Sequence, residues 1–275
     1  MTDGFYTQQI NGLTILKSRL LDQIPYIRHA FSTRIGGIST EECGSLNLAW
    51  KRRDSYENVR ENHRRFAHAM GIEPENFVFI ELKHSDKVIT VNKDARNNGR
   101  WWDNIPSDYD AVITKDTDAA LLVRTADCGT ILLLDTKRRV IAAVHSGWRG
   151  TSAGIIKNTI ERMHLEFNSN PRDILAAAGP SICSECFLAH EPVYSQFPQK
   201  YLTFYPDGRA GVDLRGKMLD DMLASGLLRE NIDFCASCTC ENPELFFSHR
   251  RERGRTGRVY SAYLITGLKS GCSNA

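Results

Sequence analysis

Three residues of this chain, Cys128, His145 and His84, have the types and spacing to act together on one ion or one reacting atom. The stretch "AAVHSGWRGT" (142–151) reads as a buried strand that stops on His145 and continues into glycine, tryptophan and arginine. Cys128 stands just before another apolar run, "TILLLD" (130–135), and "DTKRRV" joins the two runs. A two-residue turn on Thr136 and Lys137 would place Cys128 opposite His145, with Cβ atoms about 4.5–5.5 Å apart. A turn centred on Lys137 and Arg138 offsets the pair by two positions but keeps both at one end of the sheet. Either way, a thiolate and an imidazole can share one metal ion or one reacting atom.

His84, in "LKHSDKV", lies between two further expected strands and would add a second imidazole. Two histidines and a cysteine suit zinc, or copper as an alternative, and three protein ligands leave one coordination position open for chemistry. The residues alone leave room for a solvated His84 and a Cys128 that merely packs. "SGWRGTSAG" turns a strand into a helix start, with Thr151 or Ser152 as N-cap. Backbone N–H groups there, together with Arg149, would favour a phosphate. The competing reading is a tight turn with Trp148 packed and Arg149 in solvent.

These residues need a frame to hold them. Apolar runs read as strands at 13–18, 28–33, 77–82, 87–91, 110–114, 120–125, 130–135, 140–145, 174–179 and 258–265. Helices fit 55–70 before Gly71, 151–167, and 214–225 before Gly226. Strand pairs interleaved with a few helices predict an α+β fold or a mixed layered α/β arrangement, in one domain spanning residues 1–275. Basic and acidic residues nearly cancel (35 against 33), so no global field points to nucleic acid or an acidic membrane. No apolar run is long enough to span a bilayer, and the N-terminal residues lack a secretory pattern. Eight cysteines in that context predict reduced thiols and a cytoplasmic protein, expected to be a monomer.

Two further signals stand apart from the central one. "CSEC" (183–186) and "CASCTC" (235–240) form two Cys-x-x-Cys pairs, Cys183 with Cys186 and Cys235 with Cys238, which could form a structural zinc clip. The stretch from His249 to Arg258 carries five arginines, read as a solvated or phosphate-facing loop rather than a nucleic-acid contact.

At the level of motifs, "TADCGTILLLD" followed by "AAVHSGWRGTSAGI" resembles the centre of the laccase-domain family, also called multicopper polyphenol oxidoreductases. The resemblance extends to "FSTRIGGIS" and "SLNL" (31–48), "DSYENVRENHRRFAHAMGI", "DYDAVIT", "AAAGPSI" (176–182) and "CTCENPELFFSHRRERGRTGR" (238–258). It implies a single-domain layered α/β/β/α sandwich, with His84, Cys128 and His145 as zinc ligands and Cys128 and His145 at the catalytic centre. It also places Asn47 and Arg149 among the substrate-facing residues. The family's Gln-x-His-Gly reads Leu82, Lys83, His84, Ser85 here, and His63 replaces a usual arginine.

The implied activity is that of a purine nucleoside phosphorylase acting on adenosine, inosine or methylthioadenosine with phosphate, and of an adenosine deaminase. A runner-up from another class is a metal-free Cys–His hydrolase or amidase acting on a peptidoglycan precursor. The fold also resembles a cysteine deamidase, and a metal would compete for the same Cys128 sulfur. Copper-dependent phenol oxidation ranks third, because a multicopper site needs more histidines than these. A non-catalytic binding protein is the remaining class.

Overall fold

The computed structural model describes residues 4–50, 53–103 and 105–266. Two six-stranded mixed sheets form its frame. In the first, the order is β1 (Phe5–Ile10), β2 (Leu13–Ser18), β3 (Ile27–Ser32), β15 (Val259–Ile265), β7 (Ala120–Thr125) and β4 (Phe77–Val78). In the second it is β14 (Ile232–Phe234), β10 (Ile174–Ala178), β8 (Gly129–Asp135), β9 (Val140–Ser146), β6 (Ala111–Thr114) and β5 (Val88–Thr90). A small third sheet holds β11 (Leu188–Ala189), β13 (Ala210–Val212) and β12 (Leu202–Phe204). The helices are α1 (Arg19–Asp22), α2 (Tyr56–Met70), α3 (Trp148–Ala153), α4 (Ile155–Phe167) and α5 (Leu214–Ala224).

Side-chain alternation along the central strands sets the layers. Leu121 and Val123 of β7 meet Leu132, Leu134, Ile141 and Ala143 in the core between the two sheets. Ala120 and Leu122 point the other way, onto Phe66, Ala67 and Met70 of α2. Ile131, Leu133, Ala142 and Val144 face outward onto Ile156, Ile160 and Met163 of α4 and Met218 and Met222 of α5. Strands covered on both faces are apolar on both, which is why the centres of these segments read as hydrophobic runs without alternation. The result is the expected α/β/β/α sandwich.

Local signals place α2 as expected: the Ser55 side chain accepts from the Asn58 N–H, and Gly71 ends the helix at φ +65°. The helix expected at 151–167 departs from its sequence reading. It begins at Trp148 with Gly147 as N-cap, and Gly154 at φ +86° splits it into α3 and α4. Neither Thr151 nor Ser152 caps it; Thr151 Oγ1 instead donates to the Gly147 carbonyl at 2.9 Å. The strand expected at 77–82 pairs only over Phe77 and Val78. Beyond it the chain leaves the first sheet, and the Glu81 N–H donates to the Pro106 carbonyl.

The β8–β9 hairpin adopts the second of the two expected registers. Thr130 lies opposite His145, and Asp135 opposite Val140. The Asp135 Oδ1 accepts from the N–H groups of Lys137 (2.8 Å) and Arg138 (2.9 Å), and Arg139 turns at φ +55°. An aspartate that folds the following backbone onto its own carboxylate selects this longer connection. Cys128 therefore sits just beyond β8, diagonal to His145.

Candidate metal centre and active site

The ligand atoms of His84, Cys128 and His145 all lie within 4.8 Å of one another. Each arrives on a different kind of element. His145 is the penultimate residue of β9 and is buried. Cys128 follows Asp127, a non-glycine residue at φ +89°. His84 occupies the left-handed region at φ +57° in the loop before β5. Two side chains of this set thus depend on turns that non-glycine residues rarely adopt, an arrangement sustained by the surrounding hydrogen bonds.

Asp110 supplies those bonds. It is fully buried at the start of β6, where its backbone carbonyl accepts the His145 N–H at 2.7 Å. Its Oδ1 contacts His145 Nδ1 at 2.7 Å and accepts the His84 N–H at 3.0 Å. Oδ2 accepts from the N–H groups of Lys83 (3.1 Å) and Ser85 (2.7 Å) and from the Ser85 hydroxyl (2.9 Å). One carboxylate thus orients one imidazole directly and folds the loop that presents the other. The Ser85 hydroxyl contributes an additional donor to it.

The charges follow from this packing. Burial opposes ionisation of Asp110, but the contacts from His145 and the backbone N–H groups of Ser85 and Lys83 prevail and lower its pKa to about 2. Burial, reinforced by nearby His145, lowers that of His84 to about 4, so its ring is neutral and its lone pairs are available near pH 7. For His145, burial is outweighed by its interactions with Cys128 and Asp110, and the pKa rises to about 9. With Nδ1 committed to Asp110, the other nitrogen of His145 is the one hydrogen-bonded to Cys128. Two imidazoles and a thiol, one imidazole braced by a carboxylate, form a donor set that fits a zinc ion.

The glycines next to His145 now have a cause. A Cβ at Gly147 would collide with His84 Nδ1 and press on Cys128 Sγ at 3.3 Å. At Gly150 it would lie 2.7 Å from the Ser85 carbonyl oxygen. The backbone comes this close to the ligands because it lacks side chains there.

Next to His84, Cys128 and His145 opens a cavity of about 470 Å³, within the range of small-molecule sites. Arg124, Arg149, Arg250 and Arg258 line it together with Leu82, Trp148, Ile182, Phe187 and Leu214. Its acidic lining residue, Asp127, is engaged: Oδ1 accepts from Thr239 Oγ1 and Oδ2 from the Arg250 N–H, both at 2.7 Å. Arg149 stands on the first turn of α3, exposed, with its guanidinium 4.2 Å from the Trp148 ring centroid. The cavity combines cationic groups suited to an anion with apolar and aromatic walls suited to a flat organic group.

Asn47 is placed differently from the other expected residues. It is fully buried, its Nδ2 donates to Ala49 O and Asp54 Oδ2, and its Oδ1 accepts the N–H groups of Ala49 and Arg258. It touches the site through the backbone of Arg258. His63 is also buried, among Phe77, Phe79, Trp101, Trp102 and Tyr260, and is not among the cavity-lining residues. Of the paired cysteines, Cys183, Cys186 and Cys238 converge within 4.8 Å, whereas Cys235 packs in the core between the sheets.

Sequence reasoning did not single out Asp110 or Arg124, and it met Arg250 and Arg258 only within the stretch from His249 to Arg258 read as a solvated or phosphate-facing loop. The first two carried a readable signal: a lone acid entering "AVIT" and a lone arginine within "LLVRT". Charges in strands apolar on both faces must be paired or functional.

Comparison with known proteins agrees with this architecture. The family described as multi-copper polyphenol oxidoreductase laccase matches residues 28–266. A purine nucleoside phosphorylase of Deinococcus radiodurans is 34% identical over 253 residues, covering 91% of this chain and 92% of its own. One from Corynebacterium glutamicum is 35% identical over 235 residues, covering 84% and 92%. The crystal structure of YlmD from Geobacillus stearothermophilus superposes with a TM-score of 0.89 at 26% identity, covering 96% of this chain and 100% of that one. With the family match spanning residues 28–266 and relatives at 34% and 35% identity, the chain belongs to the multi-copper polyphenol oxidoreductase laccase family.

Proposed function

We propose that residues 1–275 form one catalytic unit, a zinc-dependent purine nucleoside phosphorylase acting on adenosine, inosine or methylthioadenosine, which also deaminates adenosine. The observation that carries this reading is the adjacency of the His84–Cys128–His145 cluster to a cavity lined by four arginines. The similarity to chains named purine nucleoside phosphorylase supports it.

In phosphorolysis the bond from C1′ to the purine nitrogen breaks, a bond from C1′ to a phosphate oxygen forms, and the base leaves with a proton. The transition state carries positive charge on the sugar and brings an anion close to it, so catalysis rests chiefly on positioning that anion. Arg149 and the neighbouring cavity arginines would hold phosphate, and Trp148 and Phe187 would cover the base. His84, Cys128 and His145 would hold the zinc, with Asp110 fixing the His145 imidazole and the loop that presents His84. When bound, the ion supplies Lewis acidity, which can polarise a substrate oxygen or acidify water for deamination.

The reading is tested with inosine assayed with and without phosphate. Ribose 1-phosphate should form only when phosphate is present, and adenosine should also yield inosine. Equal base release in phosphate-free buffer, with free ribose as product, would overturn it.

One observation favours the second reading. Cys128, His145 and Asp110 form a hydrogen-bonded series in which the acid orients the imidazole beside the thiol. A Cys–His amidase built on it would gain activity on metal removal, whereas the phosphorylase would lose it. Chelator treatment therefore separates the two.

A further inference from the structure

A second group of thiols lies behind the cavity wall. The sulfurs of Cys183, Cys186 and Cys238 are all within 4.8 Å of one another, and the Cys240 thiol is hydrogen-bonded to that of Cys186. Cys183 and Cys186 flank a turn closed by the Phe187 N–H donating to the Cys183 carbonyl at 2.9 Å. Cys238 arrives from a separate segment, bridged in parallel to Ser181. We propose that Cys183, Cys186 and Cys238 hold a second, structural zinc ion, with Cys240 positioned to complete the coordination.

Three features point to a metal rather than idle thiols. First, the geometry needs little adjustment: four thiolates on a tetrahedral zinc, at about 2.3 Å each, lie about 3.8 Å apart. Small side-chain rotations bring the three sulfurs from within 4.8 Å to that spacing. Second, the sulfurs already act as acceptors. The Cys183 N–H donates to Cys238 Sγ at 3.3 Å, and the Cys186 N–H donates to the Cys183 sulfur. Burial and the neighbouring Cys238 thiol raise the pKa of Cys183 to about 12 without an ion, and the Cys186 N–H offsets part of that rise, in the direction of the thiolate that binds metal. Third, arginines surround the cluster, beside the Glu185 carboxylate that hydrogen-bonds the Cys183 thiol. Arg250 donates to the Cys186 carbonyl and Arg251 to that of Cys240, while Arg215 donates to Ser181 and Ser237 carbonyls on the same two segments. Their positive charge offsets the excess negative charge of three or four thiolates around one divalent ion.

Zinc binding releases one proton for each thiol that ligates and changes no oxidation state. Its consequence would be mechanical. Ile182 donates to the Asp127 carbonyl and Thr239 to the Asp127 carboxylate, so both thiol-bearing segments grip the residue before Cys128. An ion joining them would hold that wall of the cavity in place.

The test is metal stoichiometry of the full chain, kept reduced, loaded with excess zinc, desalted and measured by elemental mass spectrometry. Two zinc ions per chain are expected. The Cys183→Ser/Cys186→Ser variant should lose one and His145→Ala the other, so failure of this site and failure of the His–Cys–His site read differently. Unchanged zinc in the double cysteine variant would overturn the proposal. Should that variant not fold, alkylation of the wild-type chain decides. Zinc should protect Cys183, Cys186 and Cys238, and a chelator should expose them. Equal labelling with and without zinc, or a Cys183–Cys186 disulfide (lighter by two hydrogens) in its place, would overturn it.

Discussion

Asp110 and His145 are cross-strand neighbours joined twice: the Asp110 carbonyl accepts the His145 N–H, and its carboxylate meets His145 Nδ1, each at 2.7 Å. The same carboxylate accepts three consecutive N–H groups from Lys83 to Ser85. A single side chain therefore couples the strand that carries one candidate metal ligand to the loop that carries another. Asp110→Asn keeps the shape but replaces one acceptor oxygen by a donor facing N–H groups. Zinc affinity, read by competition with a chromogenic chelator, should fall by roughly 10- to 100-fold. Wild-type affinity in this variant would mean that the loop holds itself.

Gly147 has φ −74°, which any residue tolerates, so only contact forbids a side chain there. Gly147→Ala should leave the helical circular-dichroism signal intact while weakening zinc binding at least about tenfold, since the added methyl meets His84 and Cys128. Full zinc content with full activity would show that the loop at His84 yields.

Arg149 and His145 should separate by assay. Arg149→Ala should lower phosphorolysis by roughly 10- to 100-fold, the loss of a charge-assisted contact worth about 1.5–3 kcal/mol. Zinc content and adenosine deamination should be largely spared, because neither needs phosphate. His145→Ala should remove zinc and both activities together. If Arg149→Ala abolishes deamination as strongly as phosphorolysis, the phosphate role is wrong.

His63 ties stability to pH away from the site. Burial, with Arg124 nearby opposing a positive charge, lowers its pKa from 6.5 to about 4. A neutral buried base contributes fully above its unfolded pKa, and that contribution is lost as pH falls from 6.5 towards 4. His63→Phe, in its aromatic surroundings, should reduce the pH slope of unfolding free energy below pH 6 by up to about 1.4 kcal/mol per pH unit. Burial also lowers the pKa of His29, to about 3, and its Nε2 accepts the Ser18 N–H, so a residual slope should persist. Identical slopes in denaturant titrations of wild type and variant would refute the assignment.

Much of this protein was legible locally. The apolar runs of β7, β8 and β9 read as strands, and in β7 Arg124 is the charge that interrupts the run. Ser55 and Gly71 bound α2 by capping chemistry contained within a few residues. The short link between two apolar runs brings Cys128 and His145 to one end of a sheet, since a hairpin is a local structure. What the sequence left open was every contact between segments remote in the chain. The hairpin had two allowed registers, and Asp135 selected one by folding the turn onto its carboxylate. Asp110 meets His145 only because β6 pairs with β9, and its hold on His84 needs the loop before β5 beside it. Two cysteine pairs of equal spacing look alike in sequence, yet one member of the second, Cys235, points into the core between the sheets. Its partner Cys238 joins Cys183 and Cys186 instead. Spacing specifies which residues can be neighbours along a strand or helix; which face a side chain takes, and which distant segment meets it, is decided when the sheets stack and their cores fill.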